Sequence, residues 1–223
     1  MDEYSVNSSR FCWGSDEIIL NPEKISLLDQ FAKGSILDVG SGSGAYSNYL
    51  VENGFSVSAV DSSKEFVRKS SKKYPDVDFK SCSALKLPYK KNQFDTAILF
   101  DVLEHVDDVL VLREASRVAK RVIVSVPLTN HSLLQKWSLA HHHYMDNTHK
   151  REYTMKSLRK LLKTSGYKVF YLKESLPISL KGLCIDYFSG GSLVKKLLLK
   201  IFLKPFYSRN IYSCIFAVAE RKQ

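Results

Sequence analysis

The amino-acid sequence predicts a doubly wound α/β domain built around a mostly parallel sheet. Three observations lead there. Short apolar runs alternate with helical patterns between residues 36 and 126, which is the rhythm of strand–helix–strand crossovers. The runs themselves, AILF and VIVSV among them, are nearly continuous in apolar residues, as strands buried on both faces must be. The first run is followed at once by a glycine-rich turn, Gly40-Ser41-Gly42-Ser43-Gly44.

The elements follow in order. A helix is predicted over Pro22–Phe31, with proline in its first turn and Asn21 as cap. Ile36–Val39 reads as the first strand, Ala45–Asn53 as a helix stopped by Gly54, and Ser56–Val60 as a second strand ending at Asp61. A helix over Ser63–Tyr74, stopped by Pro75, leads to a third strand at Val77–Lys80. Phe94–Phe100, Asp107–Ala119 and Arg121–Val126 read as strand, helix and strand. Residues 127–152 break this rhythm with a histidine-rich, turn-prone segment. Helix returns over Thr154–Ser165, and Tyr167–Lys173 and Tyr212–Ala219 are the last two strands. Residues 1–34 are thus expected to be a helical segment packing on the core, and residues 35–223 the main domain. Within it, 127–152 and 174–211 are expected to be loop or lid insertions, the second standing before the last strand.

At 223 residues the chain is long enough to bury a core without staples. Its formal charge of +10 favours anionic partners: phosphorylated small molecules, nucleic acid or an acidic membrane surface. Cys12, Cys82, Cys184 and Cys214 are scattered without a CxxC pair, which argues against a disulfide framework or a zinc ribbon and for free thiols in a reducing cytoplasm. The polar first residues do not read as a signal peptide, and no run reaches the roughly 20 apolar residues of a membrane span.

Ligands of such sheets bind beyond the carboxyl ends of the strands, near the point where strand order reverses. That places attention on Asp38–Gly44, Asp61, Cys82–Ser83 and Phe100–His105. Alternating glycines allow a tight turn and a close approach of backbone to ligand. Asp61, at the end of the second strand, suits the two ribose hydroxyls of an adenosine, or else it caps the following Ser62-Ser63 turn. Asp101, Glu104 and His105 could act as acid, base or metal ligands, or Glu104 could simply face a helix N-terminus. His141, His142, His143 and His149 form a second cluster, a solvated loop by default, in a segment expected to overhang the ligand side.

These blocks stand in the order and register of one family. ILDVGSGSG, then Asp78–Tyr89 with Gln93-Phe94-Asp95, Asp101–Val106, Leu112–Val118, Val122–Pro127, His149–Thr154 and Leu158–Leu162 together resemble the class I S-adenosylmethionine-dependent methyltransferases over residues 35 to 172 and the last strand. The resemblance implies a Rossmann-like, seven-stranded sheet with its last strand antiparallel. It implies S-adenosylmethionine as cofactor, with Asp38, Gly40, Ser41, Gly42 and Gly44 around its methionine part and Asp61 on its ribose. Ser62, Cys82, Ser83, Phe100 and Asp101 complete the expected cofactor set. Ser83 stands where many members place an aspartate against the adenine amino group, so adenine would lean more on backbone groups. Asp101, Glu104, His105 and His149 resemble the set with which certain oxygen-directed members hold a divalent metal; alternatively His105 or His149 serves as a metal-free general base.

The activity so implied is methyl transfer to an unidentified acceptor, an oxygen of a small molecule or lipid-linked compound being preferred. An RNA acceptor is the alternative, made less favourable because no Asn-Pro-Pro-aromatic tetrad occurs. A non-catalytic adenosine-binding protein of the same fold is the rival of another class, and an NAD-dependent dehydrogenase is disfavoured by the later blocks. Leu193–Lys204 is apolar over a wide arc, with Lys196, Lys200 and Lys204 four apart. It reads first as a helix covering the core with its lysines reaching water, and second as a helix lying on an acidic membrane. The expected location is therefore cytoplasmic, with peripheral membrane contact as an addition.

Overall fold

The computed structural model describes residues 20–128, 148–179, 192–202 and 210–222. Helix α1 (Pro22–Phe31) starts where Asn21 accepts hydrogen bonds from the amides of Glu23 and Lys24, with Pro22 in the first turn. There follow β1 (Ile36–Val39), α2 (Ala45–Glu52), β2 (Val57–Asp61), α3 (Lys64–Lys73), β3 (Asp78–Ser81), β4 (Phe94–Phe100), α4 (Asp108–Val118) and β5 (Ala119–Pro127). The chain continues through α5 (Met155–Thr164), β6 (Tyr167–Ser179), α6 (Leu193–Phe202) and β7 (Asn210–Arg221).

The seven strands form one sheet in the order β3-β2-β1-β4-β5-β7-β6. The pairs β1–β2, β2–β3, β1–β4 and β4–β5 are parallel, whereas β7 runs antiparallel to both β5 and β6. Strand order therefore reverses between β1 and β4, opening a crevice at their carboxyl ends. Helices cover both faces. Leu27, Leu28 and Leu50 from α1 and α2 pack with Ile36, Ile98, Ile123 and Phe216 on one side. Val111, Leu112, Ala115, Leu158 and Leu162 from α4 and α5 pack with Leu37, Leu99, Val124 and Ala217 on the other. The expected helix of the N-terminal segment is thus built into the core through α1.

The last two strands depart from expectation. They stay paired as far as Ser179 and Asn210, so the ends of the expected 174–211 insertion belong to the sheet. Lys173, Glu174 and Pro177 break the apolar pattern of a buried strand, but β6 is the sheet's edge, where charge and proline are tolerated. Helix α6 is also not the core-covering helix preferred from sequence: Leu193, Val194, Leu197, Leu198 and Ile201 are exposed. No helix among the described residues is long and apolar enough to cross a membrane.

Several blocks that carried the family resemblance prove architectural. Arg117 donates to the carbonyls of Leu87 and Tyr89, and Glu114 accepts from the Leu87 amide, which clamps the segment after β3 onto α4. Asp95 accepts from Ser35 and pairs with Lys120 at the far end of the sheet.

Candidate active site

A cavity of about 440 Å³ lies at the carboxyl ends of β1, β2 and β4, at the point of strand reversal. One wall is the glycine turn. Gly42 donates its amide to Asp61 Oδ2 at 2.8 Å, while Ser63 donates to Asp61 Oδ1, also at 2.8 Å. Asp61 therefore ties the turn to the end of β2 and also lines the cavity. Each carboxylate oxygen carries two lone pairs, so both can still accept from a diol. Burial raises the Asp61 pKa, against the pull of the Ser63, Gly42 and Ser62 amides. The alternative role as helix cap falls to Ser63, which accepts from the Phe66 amide.

The three glycines serve different ends. Added side chains at Gly40 and Gly44 would strike Val102 and the Phe79 ring, whereas one at Gly42 would meet nothing within 4 Å. Gly40, Ser41, Gly42, Ser62, Cys82, Ser83 and Phe100 all line the cavity. Ser83 Oγ also accepts from the Leu85 amide, and burial raises the pKa of the Cys82 thiol, which keeps it protonated near neutrality.

Asp38 and Gly44 stand apart from the other expected cofactor residues. Asp38 lies behind the turn, buried, accepting from Ser47 Oγ at 2.6 Å, and neither residue borders the cavity. Burial pushes the Asp38 carboxyl up to about 6, against the Ser47 hydrogen bond. Because the folded value lies above the ordinary 3.8, its contribution to stability is complete below 3.8 and is lost as pH rises through about 6. Asp38→Asn should therefore be more stable than the parent by about 1–3 kcal/mol above that range and gain nothing below it. Melting temperatures of both proteins across this pH window check it; parallel curves would contradict it.

The opposite wall carries Glu104, His105 and His149, whose potential ligand atoms lie within 4.8 Å of one another. Glu104 is buried, and the His105 and His149 rings stand 4.8 Å apart, edge to face. Thr148 Oγ1 lies 2.9 Å from His105 Nδ1, and the Lys150 amide donates to the Glu104 carbonyl. Tyr153 donates its single proton to Asp108 at 2.9 Å, with the Leu103 carbonyl 3.1 Å from the same oxygen, and Asp108 also pairs with Arg151. These bonds fix residues 148–153 against the turn after β4 and so bring His149 to His105. His141, His142 and His143 lie outside the described residues.

Asp101 does not join the three-residue group with which sequence placed it. Its backbone takes φ +56°, and its carboxylate accepts from Ser125 Oγ at 2.7 Å and pairs with Lys24 Nζ at 2.5 Å. Lys24 was not legible as a site residue, because its partner lies 77 positions away on another element. Burial alone would lower the pKa of the Lys24 ammonium; the Asp101 carboxylate overrides burial and raises it. Tyr46 and Phe66 complete the lining with aromatic surface. Their positions in the first turns after the glycine loop and after Ser63 were the signals that could have found them.

Comparison with known proteins bears on the family and the fold. The methyltransferase-domain family model matches residues 16–172, which contain every cavity residue named above. The demethylmenaquinone methyltransferase of Renibacterium salmoninarum is 33% identical over 86 residues, 38% of this chain and only 36% of its own. The match thus spans about a third of that relative's length. A SAM-dependent methyltransferase structure from Methanosarcina mazei superposes with TM-score 0.62 at 18% identity, over 92% of this chain and 99% of that one. The geranyl diphosphate C-methyltransferase of Streptomyces coelicolor A3(2), solved with Mg2+, geranyl diphosphate and S-adenosyl-L-homocysteine, gives 0.61 at 14% identity, over 90% and 80%. At such identities the structural likeness establishes the fold.

Proposed function

The chain belongs to the methyltransferase-domain family, and from that premise we propose that it transfers a methyl group from S-adenosylmethionine to an oxygen of a small-molecule or lipid-linked acceptor. One observation carries the reading: a single cavity joins the glycine turn and Asp61 on one wall to Glu104, His105 and His149 on the other. The first wall fits the cofactor. Its carboxylate can accept a ribose diol, and the space over Gly42 is clear of protein atoms. Bound there, S-adenosylmethionine supplies a methyl group already activated by a sulfonium. The protein's task is then to align an acceptor oxygen, exclude water and take up a proton.

The second wall can do that in two ways. His105 or His149 accepts the acceptor's proton directly, or Glu104, His105 and His149 would together hold a divalent ion, which would supply a lowered pKa for the acceptor hydroxyl. The donor set of one carboxylate and two imidazoles suits zinc, manganese, iron or cobalt better than calcium. Donors on one tetrahedral zinc-like ion stand about 3.3–3.6 Å apart, so a group spread over as much as 4.8 Å would have to draw in by about an ångström to hold one. Asp101, taken by Lys24 and Ser125, is left out of that set. The relative named for demethylmenaquinone supports a lipid-like acceptor, and the neighbour solved with geranyl diphosphate supports an apolar one. An RNA acceptor is favoured only by the net charge.

The test is isotope transfer from labelled cofactor to cell extract, separating organic-soluble products from RNA, with and without chelator. Label in organic-soluble product is expected, with His149→Ala slowing it by about 10²–10⁴. Loss in chelator with recovery on manganese assigns the ion; full rate in chelator assigns the histidine base. Label found in RNA alone would overturn the acceptor class, and no turnover with intact cofactor binding would favour a binding protein.

A further inference from the structure

We propose that helix α6 docks the protein on anionic membrane surfaces, with its leucine face against the lipid and its lysines on the headgroups. Leu193, Val194, Leu197, Leu198 and Ile201 are 83, 69, 63, 55 and 63% exposed, the five most exposed large apolar side chains among the described residues. Their spacing, i, i+1, i+4, i+5 and i+8, puts all five on one arc of the helix. Leu85, Leu110, Phe170 and Tyr212, the other exposed large apolar residues, are scattered singly. A continuous apolar stripe of this kind is a contact surface rather than ordinary exposure.

Charge selects the occupant. Helix α6 contains Lys195, Lys196 and Lys200 and no acidic residue. Helical spacing sets the exposed Lys195 beside one edge of the apolar arc. Across residues 180–209 the basic residues are Lys181, Lys195, Lys196, Lys200, Lys204 and Arg209, against Asp186 alone. A second copy of the helix would bring two sets of lysines together with no carboxylate to offset them. An acidic bilayer accepts both the apolar arc and the cationic charge.

Position fits the same occupant. Where β5 ends, Pro127 pairs with Cys214, which in turn pairs with Ser175; β6 and β7 continue beyond that level to Ser179 and Asn210. The segment bearing α6 therefore leaves the sheet at the carboxyl end of β5, the end of the sheet that holds the cavity. It also lies beyond residues 16–172, which the family model matches.

The experiment is flotation of the full chain with vesicles of phosphatidylcholine alone or with phosphatidylserine, without cofactor. Binding to the anionic vesicles only is expected, released as salt screens the attraction. Leu197→Ser/Ile201→Ser should abolish it, and Lys195→Gln/Lys196→Gln/Lys200→Gln should weaken it roughly a hundredfold. Melting temperature and cofactor affinity should not change in either variant; Leu197, Ile201 and Lys195 are exposed and do not line the cavity. No binding at low salt, equal binding to neutral vesicles, or binding unaltered in both variants would overturn the proposal. So would a dimer in solution that the Leu197→Ser/Ile201→Ser variant dissociates. Cofactor titration without vesicles tests the methyl-transfer reading separately, so failure of one leaves the other standing.

Discussion

Asp101→Asn should destabilise the fold by about 1–3 kcal/mol, less than a fully buried pair would because water reaches the carboxylate, whereas Lys24→Met should cost less than about 1 kcal/mol, although the two residues form one ion pair. The asymmetry follows from where each charge sits. The Lys24 side chain is 10% exposed and that of Asp101 42%. Burial disfavours the ammonium, and the neighbouring carboxylate keeps it charged. With the carboxylate removed, Lys24 must hold its charge with only the Tyr46 and Phe100 ring faces to offset it, or give up its proton, and either is costly. The backbone is not the source of the loss, because asparagine tolerates φ +56° and its amide oxygen can still accept from Ser125. Removing Lys24 instead leaves a carboxylate that water already reaches and Ser125 still serves. Lys24→Met/Asp101→Asn should therefore be close to Lys24→Met alone. Urea denaturation of the four proteins decides it; equal, small losses in both single variants would show that the pair does not hold α1 to the sheet.

The same pair marks where sequence stops being informative. Strands buried on both faces show as continuous apolar runs, so β1, β4 and β5 were legible from composition alone. The glycine turn and Asp61 were legible because their chemistry is local, a few residues around one strand end. Lys24 is local to nothing: a lysine on an amphipathic helix is solvated in most proteins, and only the packing of α1 on the sheet buries this one. Asp101 was legible as a carboxylate at the right strand end, but its capture by Lys24 and Ser125 depends on elements far away in the chain. For α6 the periodic pattern was plain, yet an apolar arc reads the same whether it faces a core, a partner or lipid. The 13 residues of β6 were missed in part because an edge strand need not be apolar.

Gly42→Val should abolish detectable binding of S-adenosylmethionine and of its demethylated product, a loss of at least about 3 kcal/mol or a hundredfold. A Cβ there meets no protein atom within 4 Å, so its branches would occupy the cavity and not the core. The fold bears only the strain of a β-branched residue at φ +52°, about 1–3 kcal/mol. Gly42→Ala separates the two effects, because one methyl group fills less of the cavity and is less strained; it should bind weakly rather than not at all. Gly44→Ala should show the reverse profile. Its Cβ would sit 2.5 Å from Phe79 Cζ, a ring packed against the core, so stability falls first and binding only as a consequence. Gly40→Ala meets a Val102 methyl at the same distance and should behave like Gly44→Ala. Calorimetric titration paired with thermal melts for each variant separates cavity from core. A Gly42→Val protein that bound the cofactor as the parent does would mean that the glycine turn is not the cofactor wall, whatever the later chemistry.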